Sequence, residues 1–117
     1  YGTNKEVSVA GEISDKINSQ RVFNLTGKTS LVELVDEFLT CKMVIGCDSG
    51  GVHLANSIGV KTVVLFGPTN PLLTRPCFDS PLLVIQPHKP SSSGGLPMSL
   101  LSVNKVFEKC KPFLHEN

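Results

Sequence analysis

Between Met43 and Asn56 the chain reads Met-Val-Ile-Gly-Cys-Asp-Ser-Gly-Gly-Val-His-Leu-Ala-Asn, a run whose types and spacing suit the holding of an anion. Asp48 or Ser49 can cap a helix that starts at the two glycines. Gly50 and Gly51 carry no side chains, so the first backbone N–H groups of that helix stay open to a ligand. Such a helix start binds phosphate, because unpaired N–H groups and the positive end of the helix dipole point the same way. His53 falls in the first helical turn, where its ring can donate a hydrogen bond to a phosphate oxygen. The chemistry on offer is stabilisation of negative charge without a covalent step.

A strand must lead into this turn and a helix must leave it. Met43 to Ile45 is a short apolar run, and the apolar pattern resumes after Gly51 with helical spacing until Gly59, a natural residue for closing a helix. Thr62 to Phe66 is continuous and β-branched, as in a strand buried on both faces of a parallel sheet. Gly67-Pro68-Thr69-Asn70-Pro71 follows as a loop rich in turn formers. Leu82 to Ile85 reads as a further strand. Upstream, Thr3 and Glu6 have capping-box spacing, and Val7, Ala10, Ile13 and Ile17 lie three or four apart, which predicts a helix over 4–18. Arg21 to Leu25 reads as a strand bounded by Gly27. Ser30 and Glu33 open another helix with the stripe Leu31, Leu34, Val35, Phe38 and Leu39. A last helix starts near Ser99 or Ser102, buries Val103, Val106, Phe107 and Cys110, and ends or kinks at Pro112. Residues 86–97 are rich in Pro, Ser and Gly and predict a flexible loop.

Strands alternate with helices, which predicts an α/β fold with a parallel sheet and right-handed crossovers. In such sheets ligands gather outside the carboxyl ends of the strands. The loops at Gly27, Asp48 and Gly67 are therefore expected on one edge, around a shared crevice.

The 117 residues suffice for one hydrophobic core, and 11 Lys and Arg against 10 acidic residues give a net charge of +1. With no basic block, a nucleic-acid or anionic-membrane surface is not the expected business of the chain. No run approaches the ~20 apolar residues of a membrane-spanning helix. The four cysteines, Cys41, Cys47, Cys77 and Cys110, have no metal-ligand spacing and read as free thiols. His88 and His115 carry no ligand spacing either, and no metal or cofactor is expected. The opening Tyr1-Gly2-Thr3 reads as the tail of a strand, so the chain is expected to be a piece of a longer protein.

Three motifs in order resemble one family: Gly27-Lys28-Thr29-Ser30-Leu31, then Val44-Ile45-Gly46-Cys47-Asp48-Ser49-Gly50-Gly51-Val52-His53-Leu54-Ala55, then Leu65-Phe66-Gly67-Pro68-Thr69-Asn70-Pro71. Together they are similar to the donor-binding half of the heptosyltransferases, glycosyltransferase family 9, over about residues 1–76. The resemblance implies a Rossmann-like sheet flanked by helices, the C-terminal half of a two-domain GT-B enzyme, lacking its first strand and helix. It implies an ADP-heptose donor, with a lipopolysaccharide-core acceptor held by an N-terminal domain, in the cytoplasm at the inner face of the bacterial inner membrane. Ser49, Gly50, Gly51 and His53 would hold the diphosphate. Asp48, and Glu6 or Asn4, would face the ribose or sugar. Gly27, Lys28 and Thr29 would line the adenine side, and Thr69, Asn70 and Arg75 the sugar or acceptor cleft. The catalytic carboxylate of the family falls outside these residues, so this chain is expected to bind rather than catalyse. Gly51 departs from relatives that carry proline or a larger apolar residue there.

Alternatives stay open at single residues. Asp48 is either a cap or brace, or an acceptor for ribose or sugar hydroxyls, since a carboxylate beside a diphosphate must be turned away from it. Lys28 reaches a phosphate or is a solvated loop lysine, and Arg75 lines the cleft or lies on the surface. Two rival functions stand beside the first: a transferase using another nucleotide sugar, and a flavodoxin-like phosphate-binding module without transfer chemistry.

Overall fold

Two Ser/Thr-x-x-Glu sequences start helices here, and both form reciprocal caps. The computed structural model describes residues 1–87 and 96–116. His88 and most of the loop expected at 86–97 lie outside the described residues. The chain forms two compact units, Tyr1–Asp36 and Glu37–Asn117.

In the first unit the Thr3 hydroxyl accepts from the Lys5 N–H, while the Glu6 carboxylate accepts from the Thr3 N–H at 2.8 Å and from its hydroxyl. A 3-10 turn at Asn4–Glu6 leads into α1, Val7–Ile17, which ends at Asn18 in the left-handed region. The apolar positions of α1 are less covered than their spacing predicts: Val7, Ile13 and Ile17 stay about half exposed. The second capping pair joins the Ser30 N–H to Glu33 at 3.1 Å and the Glu33 N–H to the Ser30 hydroxyl at 3.2 Å. It opens α2, Leu31–Thr40, along which burial concentrates at Phe38 while Leu31 and Leu39 remain exposed.

The strand expected at Arg21 to Leu25 is not formed. Its backbone is claimed locally instead. Ser19 accepts from the N–H groups of Arg21 and Val22, the Asn24 side chain accepts from the Thr26 N–H, and the Leu25 carbonyl accepts from Lys28. Short polar side chains that bond their own backbone compete with ladder formation in this way. Phe23 stays 80% exposed.

The second unit is built on three parallel strands in the order β1-β2-β3, with β1 at Val44–Cys47, β2 at Thr62–Leu65 and β3 at Leu82–Ile85. β1 runs two residues past the expected Ile45, because Gly46 and Cys47 stay in register with Val64 and Leu65. Gly46 serves this join: a Cβ there would come within 2.9 Å of the Val52 side chain. α3, Gly50–Ser57, connects β1 to β2 and packs on both. It closes as expected, with Gly59 at φ +89°.

Val52, Val64 and Phe66 form the buried core, backed by Leu82 and Val84. Each such side chain contributes roughly 1.5–3 kcal/mol through apolar burial. Asn56, fully buried, accepts from the Phe78 N–H at 2.9 Å through its side chain and from the Ser80 hydroxyl at 2.7 Å through its carbonyl. The register of α3 is thus tied to the segment entering β3.

Between β2 and β3 lies α4, Pro71–Thr74, a single turn that starts at the last residue of the loop expected at residues 67–71. The last helix, α5, spans Val103–His115 and is capped by the Ser102 hydroxyl. Two expectations for it are corrected. Val103 and Phe107 are exposed, and the half-buried face is Val106, Cys110 and Phe113, a parallel stripe one position over. Pro112 does not stop the helix. It sits in the final turn, where the Lys61 ammonium donates to the open Phe113 carbonyl at 2.6 Å and to that of Glu116. A cation at a helix C-terminus also complements the dipole.

Candidate functional site

β1 delivers the chain to Asp48 at its carboxyl end, and Ser49 occupies the cap position of α3 with extended backbone, φ −153° and ψ 172°. The Ser49 hydroxyl makes no cap hydrogen bond, so it leaves the N–H groups of the first turn without a side-chain partner. Ser49 and Gly50 are exposed, and nothing lies within 4 Å of where a Cβ on Gly50 would stand. This is an exposed helix start whose cap hydroxyl is not engaged in capping.

Asp48 does not cap α3. Its Oδ2 accepts from the Thr74 hydroxyl at 2.9 Å and from the Thr69 hydroxyl at 3.3 Å. Its Oδ1 lies 3.6 Å from His53 Nε2, an ion-pair distance beyond hydrogen-bond length. The carboxylate is mostly covered, at 19% exposure, whereas the His53 ring is 40% exposed. One oxygen of Asp48 is thereby tied to the loop after β2, and the other faces His53 of α3.

Thr69 and Asn70 follow β2 as expected and share the carboxyl edge of the sheet with Asp48. The Asn70 side chain accepts from the Leu72 N–H at 3.0 Å and caps α4, with Pro71 in the first turn. Arg75 is exposed at the end of that turn. Gly67 is fixed by close approach: a Cβ there would stand 2.9 Å from the backbone nitrogen of Met98. Thr74 was missed by the sequence reading. The signal was present in Asn70-Pro71, a cap and first-turn pair that predicts a helical turn and places Thr74 four residues on, beside its own cap.

The remaining candidates belong to the first unit. Gly27 adopts φ +71°, a region open to glycine, and its N–H donates to the Gly2 carbonyl at 2.8 Å. A Cβ on Gly27 would collide with the Asn4 side-chain oxygen. Gly27 and Asn4 are therefore neighbours, with Lys28 exposed and Thr29 half-buried just after. The Glu6 carboxylate is committed to its cap, and the Thr3 hydroxyl chiefly holds it below the usual glutamate range. The expectation that placed Gly27 on the sheet edge rested on the strand at residues 21–25, which is not formed.

Among the described residues, no group of three or more His, Cys, Asp or Glu is arranged to hold a metal ion, and no helix is long and apolar enough to cross a membrane.

Residues 2–94 match the family model of glycosyltransferase family 9 (heptosyltransferase). The chain belongs to glycosyltransferase family 9. A lipooligosaccharide heptosyltransferase 2 of Haemophilus influenzae is 33% identical over 113 residues, covering 88% of this chain and 33% of that protein. A lipopolysaccharide heptosyltransferase 2 of Salmonella typhimurium is 33% identical over 79 residues, or 65% of this chain and 23% of that protein. The chain thus spans about a third or less of the length of these family 9 relatives. The crystal structure of a family 9 glycosyl transferase from Veillonella parvula shares the fold, with a TM-score of 0.83 over 99% of this chain and 36% of that one, at 22% identity.

Proposed function

We propose that this chain is donor-binding machinery of a heptosyltransferase-like, inverting glycosyltransferase that moves heptose from ADP-heptose to a lipopolysaccharide-core acceptor. The enzyme works in the bacterial cytoplasm at the inner face of the inner membrane, with the acceptor held by parts beyond these residues. The observation that carries the reading is the open start of α3, where Ser49 sits at the cap position without capping and Gly50 has no neighbour. Free N–H donors there receive the negative charge that grows on a departing diphosphate, and fixed donors of this kind need no reorganisation as the charge develops. Ser49 donates a hydroxyl to the same oxygens, and His53 a ring N–H. Asp48 gives Oδ2 to Thr69 and Thr74 and keeps Oδ1 for a hydroxyl of the sugar. Family membership favours this reading over a flavodoxin-like module.

The test is an amide NMR titration of the chain with ADP, and with UDP and GDP as controls. Selective shifts at Gly50, Gly51 and His53 with ADP are expected. Equal shifts with all three would support a phosphate site and remove the adenine preference, pointing to another nucleotide sugar. No shift at these residues with any of them would overturn the claim that this turn binds the diphosphate.

A further inference from the structure

We propose that Thr74, seconded by Thr69, is a positioning residue that sets Asp48 to read the sugar rather than the phosphate of the donor; the inference rests on the nucleotide-sugar reading above. Both hydroxyls donate to one oxygen of the carboxylate, Oδ2, at 2.9 and 3.3 Å. An ionised carboxylate only accepts hydrogen bonds. With Oδ2 filled, acceptor capacity remains on Oδ1, and His53 at 3.6 Å is too far to consume it by a hydrogen bond. The group that satisfies Oδ1 must bring a hydrogen. An ionised diphosphate brings none, whereas a sugar hydroxyl does. Asp48 therefore discriminates within a nucleotide sugar, rejecting the diphosphate and accepting a hydroxyl of the group attached to it.

The orientation depends on α4. Thr74 lies in that turn, and the turn is held by the Asn70 side chain on the Leu72 N–H and by Asn70 carbonyl bonds to the N–H groups of Leu73 and Thr74. The Thr74 hydroxyl also lies 3.3 Å from the Asn70 carbonyl. A hydroxyl has a single proton, and the charged acceptor at 2.9 Å is the stronger claimant. A cap in one loop thus fixes a hydroxyl that fixes a carboxylate in the neighbouring loop.

The experiment compares Thr74→Val, which keeps the shape and removes the hydroxyl, with Thr74→Ser, which keeps the hydroxyl. Binding of ADP and of ADP-heptose to the chain is measured for each, together with the Asp48 side-chain carboxyl 13C resonance of the free protein. Loss of a hydrogen bond to a charged group should weaken ADP-heptose on the order of tenfold in Thr74→Val. ADP itself should change by less than about twofold, Thr74→Ser should restore ADP-heptose binding, and the Asp48 resonance should move in Thr74→Val alone. Thr69→Val should reproduce the pattern more weakly. Equal weakening of ADP and ADP-heptose would assign Thr74 a structural role and overturn the proposal, as would a Thr74→Val protein that binds ADP-heptose like the parent. A parent chain that binds neither ligand overturns the nucleotide-sugar reading and the sugar contact with it. In that event an unmoved Asp48 resonance overturns the brace as well.

Discussion

A carboxylate one residue before a helix cap would repel an anion at the helix start unless its charge is shared, and here two threonine hydroxyls from the next loop take one of its oxygens. What remains at the helix start is backbone. Gly50 is its first residue, and the Cα–Cβ bond of a helical residue leans toward the N-terminus, into the space where an anion would sit. Alanine meets no atom at that position. Gly50→Ala should therefore fold normally, or gain a fraction of the roughly 0.5–1 kcal/mol by which alanine exceeds glycine in helices. It should nonetheless bind ADP about tenfold more weakly, because a methyl group displaces a phosphate oxygen from its N–H donors. Thermal melting and calorimetric titration of the variant separate the two effects, and undiminished ADP binding would place the diphosphate elsewhere. Ser49, Gly50, Gly51 and His53 were legible as a local group because they fall within five residues at the start of one helix, which formed there. The sequence signals the turn that carries Thr74 but not its contact with Asp48, since that partner lies 26 residues earlier and the parallel pairing of β1 with β2 brings them together.

The helices whose starts carry reciprocal caps were legible because a cap is a contract between residues three apart. Thr3 with Glu6 and Ser30 with Glu33 formed as read. Residues 21–25 were not legible for the complementary reason: a strand needs a neighbour that the local sequence does not contain, and Ser19 and Asn24 offer nearer partners. The covered face of α5 was drawn too wide: Val106 and Cys110 are half-buried as read, but Val103 and Phe107, also apolar at helical spacing, are exposed, and Phe113 joins the covered side instead. Only the packing against the rest of the unit chooses between them. The two capping carboxylates also make acid sensitivity local. Both Glu6 and Glu33 titrate below the usual glutamate range, Glu6 chiefly through the Thr3 hydroxyl and Glu33 chiefly through the Ser30 N–H. A depressed carboxyl contributes stability that is present above the unfolded value of about 4.3 and is lost as pH falls through the lower folded value. The Thr3 and Ser30 amide signals should therefore move as the solution is acidified below about pH 4.3. In Glu6→Gln and Glu33→Gln, where a neutral amide oxygen keeps the cap, the respective signal should stay put. Signals that move alike in the parent and the glutamine variants would break the link between cap and titration.

Across the whole chain the chemistry is lopsided. The donors gathered at the start of α3 suit the leaving diphosphate, and sugar transfer also demands a base for the acceptor hydroxyl and a surface that holds the acceptor in line. On the proposed reading neither of the polar groups nearest the helix start is free for the first task. Asp48 has one oxygen bound by Thr69 and Thr74 and gives the other to a hydroxyl of the sugar, and His53 serves the diphosphate. The net charge of +1 gives no broad field to gather an anionic acceptor either. Binding and turnover should therefore separate. Given ADP-heptose and a lipopolysaccharide-core acceptor, the chain by itself should bind the donor and release no ADP above the protein-free control. The same residues within a protein of the relatives' length should release ADP only when acceptor is present. A coupled assay for ADP, run beside the NMR titration, reads both. Acceptor-dependent ADP release by the chain by itself would show that the base lies within these residues.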